Sequence, residues 1–235
     1  ELSDAEQVID WISRQPWCDG NVGMVGISWG GFNSLQLAYR QPPALKAIIT
    51  LCSTDDRFNE DVHYAGGCLL NDNLDWFSFF WSYSLARCPD PRLVGDTWRE
   101  QWLQQLENMP FLPATWLAEQ TKSKYWKHGS VSEDYSRIRI PVYAIGGWAD
   151  AYRNTVFRLV ENLSSPCKGL IGPWAHVYPN IAYPSPRMDY VRESVRWWDR
   201  WLKNVDNNIM TEPKIAVLPD GLSKTGGQLH TPRGS

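Results

Sequence analysis

Residues 21–27, Asn-Val-Gly-Met-Val-Gly-Ile, are too apolar to leave either face in water, and a helical spacing of apolar residues (Phe32, Leu35, Ala38, Tyr39) follows almost at once. A short apolar run of this kind reads as a strand buried on both faces, as parallel strands are when helices cover both sides of their sheet. The stretch before it is also helical. Ser3 with Glu6 reads as a capping box, Val8, Ile9 and Ile12 share one face, and Pro16 closes the segment. A second apolar run covers residues 45–52. Helix, strand, helix, strand is the order of an α/β domain with a mostly parallel sheet.

From Arg57 to Ser136 the rhythm changes, and Trp, Phe and Leu recur at helical spacing between Pro and Gly breaks. This predicts a helical insertion at 57–136, a lid or cap. Strand and helix alternate again from residue 141: a strand into Gly147, a helix over 152–163, a strand into Gly172 and a last helix with Val195, Trp198 and Leu202 on one face. The α/β core is therefore expected over 1–56 and 137–205. Residues 206–235 are expected to begin a further β element near Lys214 and to end in a tail, 221–235, without apolar periodicity.

A net charge of −3 over 235 residues, with no run of Lys and Arg, gives no electrostatic footprint for nucleic acid. No apolar run reaches the length of a membrane span, and the N-terminus carries no signal-peptide pattern. Five cysteines with no C-x-x-C pair argue against a zinc ribbon and a disulfide framework, and read as buried free thiols of a reducing compartment, hence a cytoplasmic chain. Acidic pairs such as Glu60–Asp61 lack a histidine pair at helical spacing, so no metal and no cofactor is expected. Fourteen tryptophans suit an apolar cleft without specifying its ligand.

The turn Gly26-Ile27-Ser28-Trp29-Gly30-Gly31 joins the first buried strand to its helix. It reads as a plain glycine-rich turn or as a nucleophile elbow. In the second reading Gly26 and Gly30 admit a turn so tight that the Ser28 hydroxyl stands clear at the carboxyl end of the sheet. The next N–H, that of Trp29, then faces a developing oxyanion. A serine nucleophile needs a base, and the base an orienting carboxylate. Asp150 and His176 each follow a different later strand, and Ser, Asp, His is the chain order of the α/β-hydrolase triad. The fold expected is accordingly a partial α/β-hydrolase fold with a helical cap insertion.

The segments Gly-Ile-Ser-Trp-Gly-Gly, Gly-Gly-Trp-Ala-Asp and Gly-Pro-Trp-Ala-His resemble those of the CocE/NonD hydrolases of the S15 peptidase group, as do residues 55–76 and 196–203. The resemblance runs from the first helix to about Leu218. It implies serine acyl hydrolysis of a small ester or amide without a cofactor, with Ser28 as nucleophile, His176 as base, Asp150 as its orienting acid and the Trp29 N–H as one oxyanion donor. Members normally carry about four more strands before the first helix seen here, one of which leads to a tyrosine oxyanion donor, and a C-terminal β-sandwich. Neither has a counterpart in this chain, which therefore resembles a fragment or a reduced member, with the strand Val22–Ile27 as an open apolar edge suited to homo-oligomerisation.

Asp55 and Asp56 also follow a strand. They can bind a substrate ammonium, as an aminopeptidase or amino-ester hydrolase requires, or serve as caps and ion-pair partners of Arg57. Trp148 and Trp174, like Trp29, flank the triad positions and either line an acyl pocket or pack the core. A non-catalytic fragment that keeps the triad is the third reading.

Overall fold

A computed structural model describes residues 2–219. The expected tail, 221–235, and His230 lie outside the described residues. In chain order the first elements are α1 (Leu2–Ser13), β1 (Val22–Ile27), α2 (Trp29–Arg40) and β2 (Leu45–Leu51). A two-stranded ribbon, β3 (Tyr64–Ala65) and β4 (Cys68–Leu69), leads into α3 (Asp72–Phe80), α4 (Pro91–Val94), α5 (Trp98–Glu107), α6 (Leu112–Ala118) and α7 (Lys124–Lys127). Then come β5 (Val142–Gly147), α8 (Arg153–Asn162), β6 (Cys167–Gly172), α9 (Tyr190–Leu202) and β7 (Ile215–Val217). Among the described residues two compact units result: residues 2–56 with 129–219, and residues 57–128.

In the first unit all strands are parallel, in the order β1-β2-β5-β6-β7. Successive side chains of a strand point to opposite faces, and the core divides accordingly. Ile48, Val142 and Ala144 join Ile9, Leu35, Ala38, Val156 and Leu159, from α1, α2 and α8. Ala47, Ile49, Leu51, Tyr143 and Ile145 join Leu170, Trp174 and Trp197, the last from α9. Both faces are covered, as the apolar runs require. Buried Lys168 of β6 donates from Nζ to Ile209 O at 2.9 Å and to Glu212 Oε2 at 2.6 Å, which ties the approach of β7 to the sheet. The β element expected near Lys214 is thus the fifth strand of the main sheet, not the start of a separate one.

Local details depart from the sequence pattern. α1 already includes Leu2, so Ser3 lies within its first turn and not at its cap, and Val8 is exposed while Ile9 is buried. On α9, Val195 is exposed and the buried face runs through Tyr190, Glu193 and Trp197. Each helix leaves a valine of the expected face outside, and α1 leaves Trp11 exposed as well. Of the five thiols, all free, Cys52 and Cys167 are buried, while Cys68 and Cys88 are exposed.

Residues 129–136, assigned to the insertion by sequence, belong to the sheet unit. Val131 is buried in the core beside α2 and α8, and Tyr135 packs against it. The Asp55 side chain, fully buried at the end of β2, draws this segment in. Its carboxylate accepts from the Tyr135 hydroxyl, from Thr155 Oγ1 at 3.1 Å and from Arg158, whose Nε lies 3.0 Å from both oxygens. The Asp55 carbonyl accepts the Ser132 N–H at 3.0 Å. A buried charge is tolerable only when paired and hydrogen-bonded. Arg158→Ala, which strands this carboxylate, is expected to destabilise the unit by about 3–5 kcal/mol in denaturant titrations.

The second unit is mostly helical, and a π-helical stretch, Trp81–Leu85, prolongs α3. Its core holds Tyr64, Phe77, Trp116 and Trp126. His63 sits among these rings, 4.4 Å from Trp116 and 5.1 Å from Trp126 between centroids, and its Nδ1 lies 2.6 Å from Asn73 Oδ1. Burial, with the nearby Arg57 charge, holds its pKa down at about 4 against 6.5 for a free imidazole, although the Asn73 bond acts the other way. Between those two values the unfolded chain binds a proton that the folded unit refuses. The stability His63 contributes is complete above pH 6.5 and is lost towards pH 4, by up to about 3 kcal/mol. Denaturant titrations at stepped pH are expected to show this slope, and His63→Gln to remove it.

Candidate active site

Three strand ends build the site. At the first, Ser28 has φ 57° and ψ −120°, outside the regions an L-residue prefers, and its N–H donates to Leu51 O of β2 at 2.9 Å. The helix begins one residue later, and the Phe32 N–H donates to Ser28 O at 2.9 Å. A Cβ on Gly26 would lie 2.2 Å from the Gly30 carbonyl carbon, so strand and helix touch backbone to backbone. Gly30 itself has open space where its Cβ would be, and the second crowded glycine is Gly31. Gly26, and not Gly30, is what admits the turn. Trp29 opens α2, where helix N–H groups point outward and the helix dipole is positive.

The second and third strand ends approach each other. Gly147 closes β5, and a Cβ there would fall 1.9 Å from Trp174 O. With that space vacant, the Trp148 N–H reaches Gly172 O at 2.8 Å and the Ala149 N–H reaches Trp174 O at 3.1 Å. The two loops are thereby zipped together and bring Asp150 Oδ1 to 2.9 Å from His176 Nδ1. The Asp150 side chain is 2% exposed and that of His176 42%. An ionised carboxylate can only accept, so Nδ1 carries the proton of the neutral ring and Nε2 is left as the acceptor. The Tyr152 ring packs on the imidazole at 5.7 Å. Among the described residues no hydrogen bond joins Ser28 Oγ to the ring, and in unliganded sites such bonds often close only with substrate.

Asp55 is held by Arg158 rather than Arg57, and its carboxylate is not available to a substrate ammonium. Asp56 is buried, with its N–H donating to Thr54 Oγ1 at 2.9 Å. Trp174 is 1% exposed, in the core, with its indole N–H on Pro186 O at 2.8 Å, so it packs and does not line a pocket. Trp29 and Trp148 are exposed, the latter stacked on Phe157. Cys52, which follows β2, was not singled out by sequence. Its backbone sits at φ 44°, and its thiol, an Asp150 oxygen and a His176 ring nitrogen lie within 4.8 Å of one another. Its place at the carboxyl end of an apolar run is the one signal it gives.

Residues 1–178 match the family model described as X-Pro dipeptidyl-peptidase (S15 family). The cocaine esterase of Rhodococcus sp. (strain MB1 Bresler) is 23% identical over 253 residues, which cover 94% of this chain and 44% of that protein. A putative Xaa-Pro dipeptidyl-peptidase of Streptomyces avermitilis is 22% identical over all of this chain and 35% of its own length. A CocE/NonD family hydrolase from Staphylococcus aureus has the same fold, with a TM-score of 0.73 at 19% identity over 92% of this chain and 35% of that one. The chain thus spans less than half the length of these relatives. It belongs to the S15 family of X-Pro dipeptidyl-peptidases, on an α/β-hydrolase fold.

Proposed function

We propose that the chain carries the catalytic core of a serine acyl hydrolase acting on small carboxylic esters or amides. The observation that carries the reading is the 2.9 Å bond from the His176 imidazole to buried Asp150, with Ser28 on a strained turn at the same, carboxyl, end of the parallel sheet. Ser28 Oγ attacks the substrate carbonyl while His176 Nε2 takes its proton. The Trp29 N–H stabilises the oxyanion of the tetrahedral intermediate. Collapse forms the acyl-enzyme, and His176 returns the proton to the leaving group. Water, deprotonated by the same nitrogen, then releases the acid. Asp150 keeps the proton on Nδ1 and stabilises the imidazolium. Family membership supports this reaction class.

A requirement for a free α-amino group calls for a carboxylate at the acyl site. Of the two aspartates, Asp55 is committed to Arg158 and Asp56 is buried, so we expect acetyl and α-amino esters to be cleaved with similar kcat/KM. A preference for α-amino esters of about tenfold or more, lost in Asp56→Asn, favours the aminopeptidase alternative.

A fluorophosphonate probe is expected to modify Ser28, as read by mass spectrometry, and labelling is expected to vanish in Ser28→Ala and His176→Ala. Asp150→Asn should lower kcat by about 10⁴-fold through the wrong imidazole tautomer. Absence of labelling in a folded wild type overturns the reading and leaves a non-catalytic fragment.

A further inference from the structure

The Asp150 carboxylate is satisfied on one side only. Oδ1 meets the imidazole, while Oδ2 is buried and has no hydrogen-bond partner. An acceptor left bare in a buried carboxylate is costly, since a charge removed from water needs donors on its free lone pairs. No backbone N–H and no hydroxyl supplies one to Oδ2 here.

The thiol of Cys52 lies beside this carboxylate. Its Sγ lies within 4.8 Å of an Asp150 oxygen and of a His176 ring nitrogen. Cys52 is 4% exposed, and its backbone is held at φ 44° while its N–H donates to Ile145 O at 2.9 Å. A side-chain-bearing residue in the left-handed region costs energy and persists where the surroundings impose it. Here the twist falls at the end of β2, between the strand that bears Ser28 and the one that leads to Asp150. Burial, then the Asp150 charge and its hydrogen bonding to the thiol, push the Cys52 pKa well above that of an ordinary cysteine. The sulfur therefore keeps its proton and remains a donor.

We propose that Cys52 is a positioning residue: its S–H is the donor for Asp150 Oδ2, and so fixes the carboxylate that orients His176. A thiol is a weaker donor than a hydroxyl and makes a longer bond. The assignment rests on reading Asp150 and His176 as acid and base, and it can be tested without turnover. Among the described residues Asp150, Cys52 and Tyr152 lie about the ring, and Arg153 donates to the Asp150 carbonyl at 3.4 Å.

The experiment is NMR titration of the His176 ring in wild type, Cys52→Ala and Cys52→Ser. Without its donor the carboxylate binds the imidazolium more tightly, so the alanine variant should titrate about one pH unit higher. Serine, a stronger donor, should restore the wild-type midpoint. With an active enzyme, kcat should fall about 10- to 100-fold in Cys52→Ala at unchanged KM and recover in Cys52→Ser. The wild type gives an independent reading if the alanine variant does not fold. Its Cys52 S–H stretching band, identified by loss in Cys52→Ser, should lie below those of the other thiols. An unmoved midpoint in Cys52→Ala, a serine variant that behaves as alanine, or an S–H band at the ordinary frequency each overturns the assignment. So does stabilisation of the wild type by zinc ions that Cys52→Ser abolishes, since the thiol would then be a metal ligand. Failure of Ser28 to take the fluorophosphonate while the midpoint still shifts separates the fate of the catalytic reading from this one.

Discussion

The contact on which the candidate site depends is backbone against backbone. Gly26 of β1 touches the carbonyl of Gly30 in the first turn of α2, in space that a single methyl group would fill. That contact lets a strand become a helix with one residue between them, and the residue is Ser28 at φ 57°. A backbone of this kind costs on the order of 1–3 kcal/mol. The flanking structure holds it through the ladder to β2, the Ser28 N–H on Leu51 O, and a helix whose inner face is buried in the core. Strain, sheet and helix packing form one argument here. Remove the packing of α2 and nothing keeps the serine raised.

The same economy recurs at the other strand ends. Cys52 leaves β2 through a second left-handed residue, and β5 ends on Gly147, whose missing side chain admits the carbonyl of Trp174. Each device uses the backbone to place a side chain at the carboxyl end of a parallel strand, where α/β sheets gather their ligands. Behind them, buried charges are neutralised in pairs. Asp55 is met by Arg158, Lys168 by Glu212, and Glu193 by Arg196 and the Tyr143 hydroxyl. The Asp55–Arg158, Lys168–Glu212 and Tyr143–Glu193 contacts hold segments distant in sequence and leave the strand ends to the candidate chemistry.

Much of this was legible in the chain. The apolar runs at 22–27, 45–52 and 142–147 are long enough, and uniform enough, to announce strands covered on both faces, and their order announces a parallel sheet. Ser28, Asp150 and His176 could be singled out because each follows such a run. What escaped is long-range. Nothing local tells that Asp55 meets Arg158 a hundred residues on, that Tyr135 belongs to the sheet unit, or that Trp174 faces the core while Trp148 faces solvent. Helix faces misled where apolar residues run more than one side wide, since Val8 and Val195 match the helical spacing yet lie outside. The free side of Asp150 has no sequence signature at all, because an orphaned oxygen is a property of three loops together.

The zipped pair of loops after β5 and β6 has a structural consequence. The peptide at Trp174 rests where a side chain on Gly147 would be, and two amides of one loop are spent on carbonyls of the other. Neither loop can drift in length or course without the other answering. Asp150 and His176 are therefore tied together as one structural unit, while the Ser28 turn is fixed by its own glycine contact. Grafting His176 into another sheet without residues 147–150 would transplant an imidazole and leave its orientation behind.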